Sequence, residues 1–171
     1  MKNPKSLKKL TYLLITIGIV CYSCGGNKNS TPSYSATGKS ASRTPKKIKR
    51  IVDYALTFDG TRYKYGGTTS KGMDCSGLVY TSFKKENIVL PRTSKAMSTQ
   101  GKKRAISKAT VGDLLFFKTN KNKNTINHVG IVVSTKGTIK FIHASVSKGV
   151  TVSSLSENYW KNCFSEIRRV L

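Results

Sequence analysis

Residues 71–80 read KGMDCSGLVY, a cysteine set between an acid and a serine at the head of an apolar-patterned run. Leu78, Val79, Phe83 and Ile88 recur at near-helical spacing in a segment without proline, which predicts a helix over residues 75–86. Asp74 stands just before it and is a favoured N-cap residue. Cys75 then falls in the first helical turn, where unpaired N–H groups and the macrodipole favour negative charge. That position predicts a lowered thiol pKa and a nucleophilic thiolate.

A thiolate needs a base or an imidazolium partner, and the chain has two histidines. His128 opens HVGIVVS (128–134) and His143 lies in TIKFIHAS (138–145), two strand-like runs joined through TKG. A two-residue loop, either Thr135 with Lys136 or Lys136 with Gly137, makes paired positions sum to an odd number. Both histidines then share one face of adjacent antiparallel strands, and the Thr135–Lys136 loop sets them directly opposite. Ile139, Phe141 and His143 alternate onto that face as well. A three-residue loop without a bulge separates the faces. A cysteine at a helix start with two facing histidines makes a Cys-His-His arrangement, in which His128 takes the thiol proton and His143 orients it and holds its tautomer. Two unrelated structural histidines are the bland alternative.

The other cysteines are Cys21, Cys24 and Cys163. A Cys75–Cys163 disulfide is the competing use of these thiols in an oxidising compartment. Against it, Cys163 sits among bulky apolar residues in NYWKNCFSEI, where a cysteine usually serves as a small buried hydrophobe. No C-x-x-C or H-x-x-x-H spacing supports a metal site.

The whole chain narrows the setting. Its 171 residues, 37% of them hydrophobic, suit one folded domain with a proper core. Lys and Arg number 31 against 7 Asp and Glu, so the surface suits polyanions, and charge alone does not choose among them. Lys2, Lys5, Lys8 and Lys9 precede an uncharged apolar run at 10–20 with the proportions of a signal-peptide core. CYSCGG follows and resembles a bacterial lipobox in a lax form, with the small Ser23 directly before Cys24. The expected organisation is a signal peptide at 1–23, lipid on Cys24, a disordered tether at 24–45 rich in Asn, Ser, Thr and Gly, and one domain at 46–171. An ordinary signal peptide or an uncleaved anchor is the alternative. Either way the domain is exported, and nucleic acid is not expected as a partner.

The segments YKYGGTTSKGMDCSGLVY, LPRTS, GDLLFF, HVGIVV, FIHAS and YW…RRVL, in this order and spacing, resemble the NlpC/p60 family of cell-wall cysteine peptidases. The closing segment is similar to that of the Spr-type murein endopeptidase lipoproteins of Gram-negative bacteria. The resemblance implies an α+β, circularly permuted papain-like fold, with the nucleophile's helix packed on an antiparallel sheet. It assigns Cys75 as nucleophile, His128 as base and His143 as third polar residue. Tyr63 matches a tyrosine that supports the oxyanion, with a core tyrosine as its alternative. Asp74 and Ser76 match residues that bind the amino end of the stem peptide, although Asp74 reads equally as a helix cap. Arg92 either contacts substrate or fixes a loop through a carbonyl or carboxylate. The implied activity is a monomeric, outer-membrane-anchored hydrolase of peptidoglycan stem peptides without metal or cofactor. It would cut either the D-Ala–meso-diaminopimelate cross-link or the D-Glu–diamino acid bond. A non-catalytic wall-binding lipoprotein and an acyltransferase using the same thioester chemistry are the competing classes.

Overall fold

The computed structural model describes residues 40–171, with side chains from residue 44 onward. The expected signal segment, Cys24 and the part of the expected tether before residue 40 lie outside the described residues. Local chemistry builds the helix that opens with Cys75. Asp74 has extended backbone (φ −98°, ψ 173°), and its side chain accepts from the Gly77 amide, so it caps α2 (Cys75–Lys84). The helix closes in a turn at Asn87, whose φ of 60° is the left-handed conformation tolerated by asparagine. There the Ile88 amide donates to Phe83 O and the Asn87 amide to Lys84 O, a paired Schellman closure.

Among the described residues, eight strands and three further α-helices accompany α2. The helices are α1 (Ser40–Leu56), α3 (Ser94–Met97) and α4 (Asn158–Cys163). Strands β1 (Thr68–Thr69) and β2 (Gly72–Met73) form a small ribbon just before α2. The main antiparallel sheet holds β3 (Lys102–Arg104), β4 (Leu114–Phe117), β5 (His128–Ser134), β6 (Lys140–Ser145), β7 (Gly149–Ser154) and β8 (Phe164–Arg169). Its spatial order is β3-β8-β4-β5-β6-β7.

Period-two alternation splits this sheet's side chains between two cores. Leu114, Phe116, Val129, Ile131, Ile142 and Ala144 pack with Leu78, Val79 and Phe83 of α2 and with Ile51, Val52 and Ala55 of α1. On the opposite face, Leu115, Phe117, Val132, Phe141 and Ile167 meet Leu155 and Trp160. Every residue of β4 is fully buried for this reason. Each such Leu or Phe contributes on the order of 1.5–3 kcal/mol of burial free energy, so the sheet that carries both histidines is rigidly seated.

Two differences from the sequence reading bear on how the chain reaches the site. Helix α1 starts at Ser40, so residues 40–45 are helical rather than disordered tether; Ala41 and Arg43 are good helix formers that a composition window overlooks. The β5–β6 connection spans residues 135–139, not two residues. Its pairing Ser134↔Lys140 sums to an even number, which alone would separate the histidine faces. A bulge between Val132 and Ser134 then shifts the register to Val132↔Phe141 and Ile131↔Ile142. The odd sum returns, and both histidines share a face. They are not opposite each other: continuing the register sets Gly130 across from His143, with His128 on the diagonal.

Candidate active site

Cys75 is the first residue of α2 and is 8% exposed. It lies where two open cavities of about 550 and 530 Å³ meet, and Tyr63 and Asn127 line both with it. His128 and His143 line the first cavity, beside Ser153, Tyr159 and Trp160. The second is walled by Tyr65, Gly66, Asp74, Ser76, Arg92 and Thr93. All seven domain residues singled out from sequence therefore border one continuous cleft on either side of the thiol.

His128 is the first residue of β5, and His143 sits inside β6, 1% exposed. His128 Nε2 and His143 Nδ1 lie 3.1 Å apart, within hydrogen-bonding distance. On its far side, His143 Nε2 is 3.0 Å from Ser153 Oγ. Trp160 covers the pair, stacked on His128 (centroids 5.2 Å, 26°) and edge-on to His143 (4.5 Å, 68°). This ring excludes water from the imidazole–imidazole hydrogen bond and so strengthens it.

The imidazole contact depends on a gap. A Cβ at Gly130 would stand 2.6 Å from Phe141 Cδ2, 2.9 Å from Ile142 O and 3.3 Å from His143 Cβ. Any side chain there would displace the residues that seat His143. Gly77, in the first turn of α2, is required in the same way, since its Cβ would lie 2.0 Å from Gly67 O.

Burial overturns the expected thiolate. It pushes the Cys75 thiol up to about 11, with the Asp74 charge adding to the rise, while the Val129 amide and the helix-start amides oppose it. The rise from 9.0 is worth about 3 kcal/mol against the thiolate. A helix terminus returns only about 0.3–2 kcal/mol. Burial also lowers His128 to about 4 and His143 to about 3, the latter with help from His128 and Lys148. At neutral pH the cleft holds a thiol and two neutral imidazoles.

The Asp74 carboxylate is held by five donors. Oδ1 accepts from the Gly77 amide (2.6 Å), Ser76 Oγ (3.1 Å) and Arg92 Nη1 (3.0 Å). Oδ2 accepts from the Gly66 amide (2.7 Å) and Arg92 Nη2 (3.0 Å). Arg92 also donates to Ser76 Oγ and to the Gly67 carbonyl. Burial alone would raise the Asp74 pKa, but Arg92 and the two amides outweigh it and hold the carboxyl below its ordinary value. Asp74 thus caps the helix, and Arg92 fixes the glycine loop through both a carboxylate and a carbonyl. Tyr63 is bridged to Met73 at the ribbon beside Cys75. Burial, followed by the charges of Cys75 and Asp74, raises its phenol pKa, so it stays protonated and able to donate.

Cys75 and Cys163 are both free thiols, so the disulfide alternative falls. Cys163 is half-buried rather than buried, and its Sγ donates to Tyr159 O. Trp160, Ser153, Gly130 and Asn127 were not identified as site residues from sequence. Trp160 alone carried a usable signal, as the single tryptophan of the chain.

The NlpC/P60 family model matches residues 60–169. The chain belongs to the NlpC/P60 family. It is 35% identical over 189 residues to the murein DD-endopeptidase MepS/murein LD-carboxypeptidase of Escherichia coli K12, covering 98% of this chain and 97% of that one. It is 40% identical over 124 residues to the probable endopeptidase NlpC of the same organism, covering 72% and 78%. Among solved structures, an NlpC/P60 family protein from Bacillus cereus superposes with a TM-score of 0.67 at 26% identity, over 72% of this chain. A lipoprotein-like NLP/P60 protein from Staphylococcus aureus gives 0.65 at 30% over 74%. The chain spans about 40% of the length of these two solved proteins. The α+β architecture, with α2 on an antiparallel sheet, is the permuted papain-like fold of this family.

Proposed function

We propose that this family member is a peptidoglycan stem-peptide endopeptidase acting in cell-wall remodelling, with Cys75 as nucleophile, His128 as base and His143 as its orienter. The observation that carries the reading is the 3.1 Å contact between His128 Nε2 and His143 Nδ1 in the cleft that opens at Cys75. Because His128 Nε2 is engaged, Nδ1 is the nitrogen left for the thiol. With both groups neutral at rest, the thiol proton passes to His128 Nδ1 as Sγ attacks the scissile carbonyl carbon. The Cys75 amide at the helix start and the Tyr63 hydroxyl donate to the developing oxyanion. Collapse of the intermediate breaks the C–N bond, and His128 returns its proton to the leaving amine. Water then attacks the thioester, losing its proton to His128; collapse breaks the C–S bond and releases the acid, and His128 returns that proton to Sγ to restore the thiol. Asp74, Ser76 and Arg92 border the arm of the cleft that takes the amino end of the stem peptide.

The D-Ala–meso-diaminopimelate cross-link is the favoured bond, supported by likeness to a murein DD-endopeptidase along nearly the full length of both chains. The D-Glu–diaminopimelate bond is the second candidate. The proposal includes the N-terminal organisation: lipid on Cys24, a tether reaching to α1, and anchorage at the periplasmic face of the outer membrane. Digestion of purified muropeptides by residues 40–171 and by a Cys75→Ala variant, with products identified by mass, tests the reaction. Cross-linked dimers should fall to monomers only with the cysteine present. Equal product from a folded Cys75→Ala protein overturns the assignment.

A further inference from the structure

The hydrogen bonding of the histidine pair does not end at His143. Ser153, on the edge strand β7, is itself buried, and its Oγ lies 3.0 Å from His143 Nε2. The sheet register explains how it gets there. His143 is paired with Thr151, so Ser153 lies one diagonal step across the β6–β7 boundary, as His128 lies one diagonal step across β5–β6. His128, His143 and Ser153 thus form a line across three strands on one face.

This line has a direction. The direction follows from the roles of Cys75 and His128 proposed above, on which the inference rests. His128 accepts the thiol proton only if its Nδ1 is bare, which puts its own proton on Nε2 and makes His143 Nδ1 the acceptor. His143 must then carry its proton on Nε2 and find an acceptor there. If His143 instead held its proton on Nδ1, it would donate to His128 Nε2 and force the His128 proton onto Nδ1, where it would block the thiol. A buried imidazole left to itself has no strong reason to choose between these tautomers. We infer that Ser153 is a positioning residue for the reaction: with its Oγ accepting from His143 Nε2–H, the hydrogen-bonded line across the three strands is completed in the tautomer that keeps His128 Nδ1 free to act as base.

The test uses the folded domain labelled with ¹⁵N-histidine, comparing wild type, Ser153→Ala and Ser153→Thr. In the wild type, ¹⁵N shifts should report protonated Nε2 and unprotonated Nδ1 on both histidines. Ser153→Ala should give a mixture of tautomers, with kcat lower by about tenfold, the loss expected from one hydrogen bond, and KM within about twofold. Ser153→Thr keeps the hydroxyl on a residue suited to a strand and should restore both signals. Unchanged tautomers in Ser153→Ala overturn the inference, as does a mixed population that leaves kcat intact. Equal loss of kcat in both variants with wild-type tautomers would show a packing role and also overturn it. The spectra need no turnover, so they stand apart from the test of the Cys75 assignment. That assignment fails if Cys75→Ala hydrolyses muropeptides, whatever the tautomers show.

Discussion

At Cys75 two local effects oppose one another, and the larger depends on the rest of the fold. The helix start favours a thiolate, which is visible in DCSG alone; burial beneath the sheet favours the thiol and wins. Iodoacetamide alkylation of Cys75 should therefore accelerate steadily from pH 7 to beyond pH 9, without levelling off below the free-cysteine value of about 8.5. A plateau near pH 7 would instead reveal a preformed ion pair. The two histidines should not be equivalent. On the proposed mechanism, His128→Ala removes the proton carrier and should cost roughly 10²–10⁴ in kcat, whereas His143→Gln keeps an acceptor for His128 Nε2–H and should retain measurable turnover. Gly130→Ala should destabilise by about 1–3 kcal/mol through overpacking, and lower activity further by moving His143, as paired unfolding and rate measurements would show. Cys75, His128 and His143 were legible as one cluster from residue type and alternation, their roles resting on the mechanism proposed above. Gly130, Ser153 and Trp160 were not, because their roles exist only once distant strands and α4 converge on the imidazoles.

The elements show which parts of a fold local chemistry can write. Helix α2 was legible to its first residue because its cap lies in the adjacent Asp74; its end, at Lys84 rather than the expected 86, is set by the turn at Asn87, which the apolar spacing does not show. The β5–β6 hairpin was legible in its outcome but not its means: a longer loop and a bulge together reach the parity that a two-residue turn would have supplied. Arg92 is a long-range feature, joined to Asp74 across eighteen positions. Arg92→Ala should lower stability by about 2 kcal/mol in urea unfolding, since it leaves a buried carboxylate with fewer donors. Arg92→Lys should recover little of that, because a single ammonium cannot make the paired contact with both carboxylate oxygens. Asp113, in the turn that leads into β4, receives two bonds from Arg169 and ties the last strand to the start of β4.

Over the whole molecule, acid is expected to unfold the domain earlier than its basic composition suggests. His143 is folded in neutral form with its pKa lowered to about 3, while the unfolded chain protonates it near 6.5. Between these values the unfolded state binds more protons, so stability present above pH 6.5 is lost as pH falls. By pH 5 the loss from His143 should reach about 2 kcal/mol, and His128, partly open to the cleft, adds in the same direction. Urea midpoints at pH 7 and pH 5 measure this, and His143→Gln should flatten the difference. Carboxylates offer little relief. Asp53, Asp74, Asp113, Glu86 and Glu166 are each engaged with a Lys or Arg, which leaves a strong excess of cationic surface.

The bulge in β5 also sets where the chain can be lengthened. Parity between the two histidines is restored at Val133, inward of the hairpin tip, so residues 135–139 can absorb an inserted tag without changing which face either ring occupies. One residue added between His128 and Val132 has the opposite effect, turning His128 toward the α2 core while leaving the composition almost untouched. Tolerance to insertion along these twelve residues is therefore a step function with its edge at the bulge, and a scan of single-residue insertions would trace that edge in retained muropeptide cleavage.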